Sequence, residues 1–234
     1  MSRTLPCAAV VDVTTAATEP NDVLAAFDAL APGEVLLLRT VARPRAALLA
    51  LADERSGAFE WVPLMEGPGH WEVEIHRRAA HAGTARGISD ALGWDHDRLD
   101  ALERAASEAW NAGDVREGAR LHLRFVYGLR RHIRYEDTVL FPEFDRVTGL
   151  PAGRGPTEVM RIEHRAIEAL LEDVRAAAAR GVRPAVATFT ELAGILAAHN
   201  VKEENVLYPM LDRGLAADEA DRLVFLFQSM DPAA

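Results

Sequence analysis

The sequence predicts two domains, an N-terminal α+β two-layer sandwich and a C-terminal all-α, up-down-up-down four-helix bundle. Three observations carry that prediction. Residues 1–78 order their patterns as β-α-β-α-β-β. From Ser89 onward the strand pattern vanishes, and apolar residues recur at steps of three and four. Finally, residues 132–142 (HIRYEDTVLFP) and 199–209 (HNVKEENVLYP) repeat one another, sharing His, Glu four residues later, Val, Leu and a closing aromatic–Pro pair.

In the first domain, residues 8–13 (AAVVDV) read as a β-branched strand. Val23, Leu24, Phe27 and Leu30 give a helix that stops at Pro32-Gly33. Residues 34–40 (EVLLLRT) make a second strand, and residues 43–53 a second helix with Pro44 in its first turn. Residues 59–66 and 70–77 flank Gly67-Pro68-Gly69 and close the domain as a hairpin. Small and polar residues form a linker at 79–87, leaving 88–234 to the bundle. Its first helix covers about 89–112 and ends at Gly113. Asp114 caps the second, which continues past Glu136 to the neighbourhood of residues 142–145. Residues 150–156 are a loop; Thr157 caps the third helix and Gly181 ends it. Pro184 sits in the first turn of the fourth, which reaches Tyr208, and a short amphipathic helix over 218–230 packs outside.

The bulk numbers exclude several classes of function. A net charge of −10 and a pI near 5.3 leave no basic face for nucleic acid or anionic lipid. Cys7 is the single cysteine, which rules out an internal disulfide framework and a Cys-ligated iron–sulfur cluster. No apolar run approaches a membrane span, and the first twenty residues lack a signal-peptide layout. A cytoplasmic chain with neither nucleic-acid nor membrane partners is expected.

Each bundle helix carries one histidine inside its apolar stripe. His96 lies between Leu92 and Leu99, His132 after Leu129, His164 between Met160 and Ile167, and His199 after Leu196. The stripes continue through Glu136 and Val139 in the second helix, and through Glu203, Val206 and Met210 in the fourth. His96 stands 17 residues before Gly113 and His132 stands 19 after it; His164 stands 18 before Val182 and His199 stands 17 after. All four therefore lie at one level, about 27 Å from the turns. An acid at i+4 shares a face with each: Asp100, Glu136, Glu168 and Glu203. Buried carboxylates require metal or a paired charge, and no basic residue falls on the inward stripes. Four imidazoles and several carboxylates at one level imply a dinuclear N/O site, suiting iron first, with manganese or zinc as alternatives.

Other polar residues receive ordinary roles. His122, ten residues before His132, is about 80° off that face and is not a ligand. His70, His76 and His81 face solvent in the hairpin or linker, and Asp137 and Glu204 are outer-face charges. Tyr135 and Tyr208 pack, with hydrogen bonding near the site as the alternative; residues 130–134 form the solvated flank of their helix, and Cys7 is a small apolar residue.

The motifs HxxLD at 96–100, HxxxE…LFP at 132–142, EHRAIE at 163–168 and HxxxE…LYP at 199–209 resemble the hemerythrin (HHE cation-binding) family over the C-terminal 150 residues. The resemblance implies two iron ions with an oxo or hydroxo bridge. His96, His132, His164 and His199 would be terminal ligands, with Glu136 and Glu203 bridging. Oxygen-carrying hemerythrins place a fifth histidine four residues after the third ligand, where this chain has Glu168. That makes it similar to the four-His, two-Glu subgroup, which includes nitric-oxide-linked iron–sulfur repair proteins and iron- or oxygen-sensing modules. Glu168 and Asp100 are then either further ligands or hydrogen-bond partners of one. Residues 1–78 more weakly resemble a small sulfur-carrier-like sandwich domain often fused to hemerythrin domains. The carriers' cysteine before proline is missing from DVTTAATEP at 12–20, so persulfide transfer is not expected. The expected function is binding or sensing of O2, NO or peroxide, with the N-terminal domain docking a protein partner. The alternative is an enzyme acting on peroxide or nitric oxide, or donating iron to damaged iron–sulfur centres.

Overall fold

The computed structural model describes residues 7–13, 19–55, 57–65, 67, 69–78, 87–151, 153–180 and 182–229. The chain falls into two units, residues 1–86 and 87–234. The predicted linker (but for Gly87 at its end), His81, Gly181 and most of the DVTTAATEP stretch lie outside the described residues.

The first unit runs β1 (Cys7–Val13), α1 (Pro20–Asp28), β2 (Val35–Thr40), α2 (Arg45–Glu54), β3 (Phe59–Met65) and β4 (Trp71–Arg77). This is the α+β order read from the sequence. The sheet order is β1-β2-β4-β3, with β1 parallel to β2 and the other pairs antiparallel. The parallel pair is joined through α1, as a crossover requires. Val23, Leu24 and Phe27 of α1, Leu48 and Leu51 of α2, and Leu36, Leu38, Val73 and Ile75 of the sheet are all buried. Pro44 precedes α2 as its cap rather than sitting in its first turn. His70 is partly exposed as expected, but His76 is buried and its Nε2 lies 3.1 Å from Glu74 Oε2.

The second unit contains α3 (Ile88–Asn111), α4 (Val115–Tyr135), α5 (Phe141–Thr148), α6 (Pro156–Ala179), α7 (Val186–Lys202), α8 (Tyr208–Gly214) and α9 (Ala217–Ser229). The α3–α4 and α6–α7 hairpins form the four-helix bundle. At the first turn Gly113 takes φ +85°, and Asp114 accepts a hydrogen bond from the Glu117 N–H at 3.0 Å. Gly118 allows close helix approach, since a Cβ there would fall 2.6 Å from Trp110 Cδ1. The start of α3 is capped from a distance: Asp212 of α8 accepts from the backbone N–H groups of Ile88 at 2.6 Å and Ser89 at 3.1 Å. Two helix starts differ from expectation. Thr157 lies inside α6, donating to Asp145 at 2.9 Å, because Pro156 already occupies the first turn. Pro184 stands outside α7, which starts at Val186.

The larger difference is at the two repeats. Both long helices break into one π-helical turn, at Glu136–Leu140 and Glu203–Leu207, before resuming as α5 and α8. Each turn inserts one surplus residue relative to an α-helix. Beyond it the inward face shifts by about 100°. That shift explains why Val206 and Met210, on the predicted inward stripe, are exposed, whereas Leu207, Tyr208 and Leu211 are buried. In the first repeat Leu140, Phe141 and Phe144 are the buried equivalents.

Two apolar clusters sandwich the histidine level. One contains Leu92, Met160, Leu207 and the aromatic residues Tyr135, Phe141, Phe144 and Tyr208, closed over by Leu223, Val224 and Phe227 of α9. The other contains Leu99, Leu129, Ile167, Leu171, Leu192 and Leu196.

Candidate metal centre

The four histidines predicted from spacing come together as two pairs. His96 Nε2 and His132 Nε2 are 3.2 Å apart, and His164 Nε2 and His199 Nε2 are 3.0 Å apart. All four are buried, as are Glu136 and Glu203 at 0% exposure, so water does not share the site freely. Each carboxylate straddles both pairs. Glu136 places Oε1 3.5 Å from His132 Nε2 and Oε2 3.3 Å from His164 Nε2. Glu203 places Oε2 3.4 Å from His96 Nε2 and Oε1 2.9 Å from His199 Nε2. The outcome is two adjacent lobes, with Glu203 common to both and Glu136 reaching from the His164/His199 lobe toward the His96/His132 lobe. Glu136, His164, His199 and Glu203 form one group whose donor atoms lie within 4.8 Å of one another, and His96, His132 and Glu203 form another.

The outer nitrogens of the rings explain why the inner ones point inward. His132 Nδ1 lies 2.9 Å from Asp95 Oδ2, and His199 Nδ1 lies 2.9 Å from Glu163 Oε2. His164 Nδ1 lies 2.9 Å from Asp137 Oδ1, and His96 Nδ1 lies 2.8 Å from Glu204 Oε1. With each Nδ1–H donated to a carboxylate, Nε2 keeps its lone pair. Facing lone pairs 3.0–3.2 Å apart are stable only around positive charge. Glu136 Oε2 and Glu203 Oε1 add two buried oxygens with no hydrogen-bond partner. The donor set therefore fits divalent cations, with oxygen and imidazole ligands and no thiolate.

The electrostatics agree. Burial works against a charged His132, but the Glu136 and Asp95 carboxylates outweigh it and raise the imidazole to about 10. Burial is likewise outweighed at His164, raised to about 9 by Asp137 and Glu136. His96 is raised despite burial by its contacts to Glu203 and Glu204. Burial also opposes ionisation of Glu136, yet His132 and His164 hold it well below the usual carboxylate range. The cluster is a well for cations.

Several residues take roles the sequence reading did not give them. Asp95 is fully buried and joins Arg98 (Nε to Oδ1, 2.8 Å) and Arg131 (Nη2 to Oδ1, 3.3 Å) to His132. Burial would raise its carboxyl, but Arg98 and Arg131 hold it low. Thus basic residues do reach the interior, and Arg131 is not on a solvated flank. Its Nη1 donates to the Phe227 carbonyl at 3.0 Å, and its guanidinium lies 4.3 Å from the centre of the Phe227 ring. Asp137 and Glu204 keep solvent contact but orient histidines instead of merely charging the outer face. Tyr135 packs as expected, donating to the Leu223 carbonyl at 2.9 Å. Tyr208 takes the alternative, hydrogen bonding at the site: its hydroxyl donates to Glu136 Oε1 at 2.6 Å, within the ligand cluster. Burial first, then Glu136 and Glu203, push its phenol well above the ordinary range.

Asp100 and Glu168 do not join the cluster. Asp100 is exposed on α3. Glu168 is half-buried and accepts from Arg130 Nε at 2.7 Å; Arg130 also pairs with Glu172. His122 is buried away from the cluster, among Trp110, Phe125 and Phe189, with neither ring nitrogen partnered. The anchoring acids did leave a sequence signal. An acid directly precedes the histidine of each hairpin's first helix (Asp95-His96, Glu163-His164), and another directly follows each inward glutamate (Glu136-Asp137, Glu203-Glu204). The first kind anchors the histidine across the same hairpin, the second kind a histidine of the other hairpin.

Fold and site together define a helical bundle with a buried His/Glu cluster suited to cations. Residues 88–211 match the family described as hemerythrin HHE cation binding domain, and the chain belongs to that family. Residues 12–77 match a second family, described as an uncharacterized conserved protein (DUF2249). The chain is also similar to an uncharacterized hemerythrin-like protein of Schizosaccharomyces pombe (strain 972 / ATCC 24843). That relative is 27% identical over 141 residues, covering 60% of this chain and 67% of its own length. No solved structure matches the chain. Among the described residues, no helix is long and apolar enough to cross a membrane.

Proposed function

We propose that this chain is a non-haem di-iron protein that binds or senses a small ligand such as O2, NO or peroxide. The observation that supports it best is the pair of carboxylates, each with one oxygen toward either histidine pair. In this reading His96 and His132 would hold one iron and His164 and His199 the other, with Glu136 and Glu203 available to both. When bound, the two ions supply neighbouring Lewis-acid and electron-exchanging centres. The chain's own residues do the rest. Asp95, Glu163, Asp137 and Glu204 keep the imidazoles in the metal-binding tautomer. The two apolar clusters keep bulk water away, so that a small uncharged ligand competes well for an open position. Arg130 holds Glu168 outside the cluster, at the helix position where a fifth histidine would otherwise stand.

Metal analysis with absorption spectra before and after exposure to oxygen tests this. Iron near two per chain and a spectrum that changes with oxygen are expected. His132→Ala or His199→Ala lowers the iron well below that, whereas His122→Ala does not. Zinc alone with a silent spectrum would reject the reading. Stopped-flow mixing with peroxide or nitric oxide then separates a stoichiometric binder from an enzyme that turns over repeatedly.

A further inference from the structure

The two lobes of the cluster are not equivalent, and the difference lies in one atom. The phenol oxygen of Tyr208 is 2.6 Å from Glu136 Oε1, 3.1 Å from Glu203 Oε2, 3.3 Å from His132 Nε2 and 3.4 Å from His96 Nε2. The last three of those atoms are the donors of one lobe, and the first belongs to the carboxylate that reaches toward it from the other. Among themselves, His96 and His132 are 3.2 Å apart, His96 and Glu203 3.4 Å, and His132 and Glu136 3.5 Å. Two donors bound to one ion at about 2.1 Å lie about 3.0 Å apart at right angles, and about 3.4 Å apart at a tetrahedral angle. The phenol oxygen thus keeps the spacing of a further donor around the same point.

Among the described residues, the other lobe has no such atom. Tyr208 and Phe141 hold the same place in the two repeats, nine residues after His199 and His132. Phe141 stacks on His164 with ring centroids 5.5 Å apart and planes at 13°, offering no oxygen. In an unbroken α-helix a residue nine positions on would face about 180° away from its histidine. The surplus residue of the π-turn reduces that to about 80° and brings the aromatic ring into the core.

Resting on the di-iron reading above, we infer that Tyr208 is a metal ligand of the His96/His132 lobe. The lobe lined by Phe141 is then the one left open to an external ligand. The phenolic proton, donated to Glu136 Oε1 in this structure, leaves to solvent as the oxygen binds iron(III). One O–H bond is exchanged for one O–Fe bond, with no change in oxidation state.

The test loads the full chain with iron(II), oxidises it in air, and combines metal analysis with visible absorption and resonance Raman spectra. Two irons per chain are expected, with a tyrosinate-to-iron(III) charge-transfer band and enhanced tyrosinate ring vibrations. The chain has three tyrosines. The Tyr127→Phe/Tyr135→Phe double variant keeps the band; Tyr208→Phe loses it, and its iron falls toward one per chain. Either variant alone assigns the band, so a folding failure in one leaves the other decisive. Two irons without tyrosinate vibrations, or a band that survives in Tyr208→Phe, would overturn the inference and leave the di-iron reading standing. A chain that takes up no iron would overturn both.

Discussion

His122 offers a test of the site argument from outside the site. It is wholly buried among Trp110, Phe125 and Phe189, and neither ring nitrogen has a partner. Desolvation alone pushes its imidazole from 6.5 down to about 4. In the unfolded chain the ring takes a proton near pH 6.5; in the folded protein it does not until about pH 4. The unfolded state therefore binds more protons between those values, and stability falls as the pH drops through this window. A shift of this size is worth about 3 kcal/mol in full, of which about 2 kcal/mol is already lost at pH 5. His122→Leu removes that term. It also removes two unsatisfied buried nitrogens, which stabilises the variant by roughly 1–3 kcal/mol even at pH 7. Denaturant unfolding at several pH values, on both proteins, measures the difference. The expected gap widens by about 2 kcal/mol between pH 7 and pH 5, with iron content equal in the two. A gap that stays constant with pH would refute the neutral buried imidazole. A loss of iron would refute its separation from the metal centre.

Other outcomes follow from the same geometry. Asp95→Asn leaves two buried guanidinium groups short of their counter-charge, so thermal or denaturant unfolding should show a loss of about 3–5 kcal/mol. The same change frees His132 Nδ1 and should weaken iron binding about 10–100-fold, read by competition with a chelator. Glu168→Gln cuts the pairing with a partly exposed Arg130, so stability should change by no more than about 1 kcal/mol and the iron count not at all; a lost iron would show that Glu168 is a ligand after all.

How much of this could be read from the sequence depended on whether the signal lay within one helix. The four histidines and two glutamates are periodic within their own helices, and their distances from the turns fixed the level. The anchoring carboxylates are not legible that way. Asp95 serves His132, and Glu204 serves His96, so each pairing exists only once two helices are packed. The buried Arg98 and Arg131 escaped for the same reason: a guanidinium on a core face is tolerable only beside a carboxylate whose place was unknown. Val206 and Met210 differ from their expected burial for another cause. A constant 100° per residue places them inward, whereas each repeat contains a π-turn that breaks that constancy. In the N-terminal unit, the order of strands and helices followed from alternation and breakers. The burial of His76 did not, because a polar residue late in a half-covered strand carries no sign of what lies over it.

The second π-turn has a mechanical consequence. It sets the rotation of α8, and α8 bears both Tyr208 and Asp212, whose carboxylate clasps the first two amides of α3. Removing one residue between them and His199 would turn both side chains together, like two cams on one shaft. The clasp has little slack: even a methyl group at Gly87 would come within 2.8 Å of the Asp212 carboxylate. The seating of the first bundle helix and the aim of the phenol are therefore set by the same short piece of backbone, and neither can be retuned without disturbing the other.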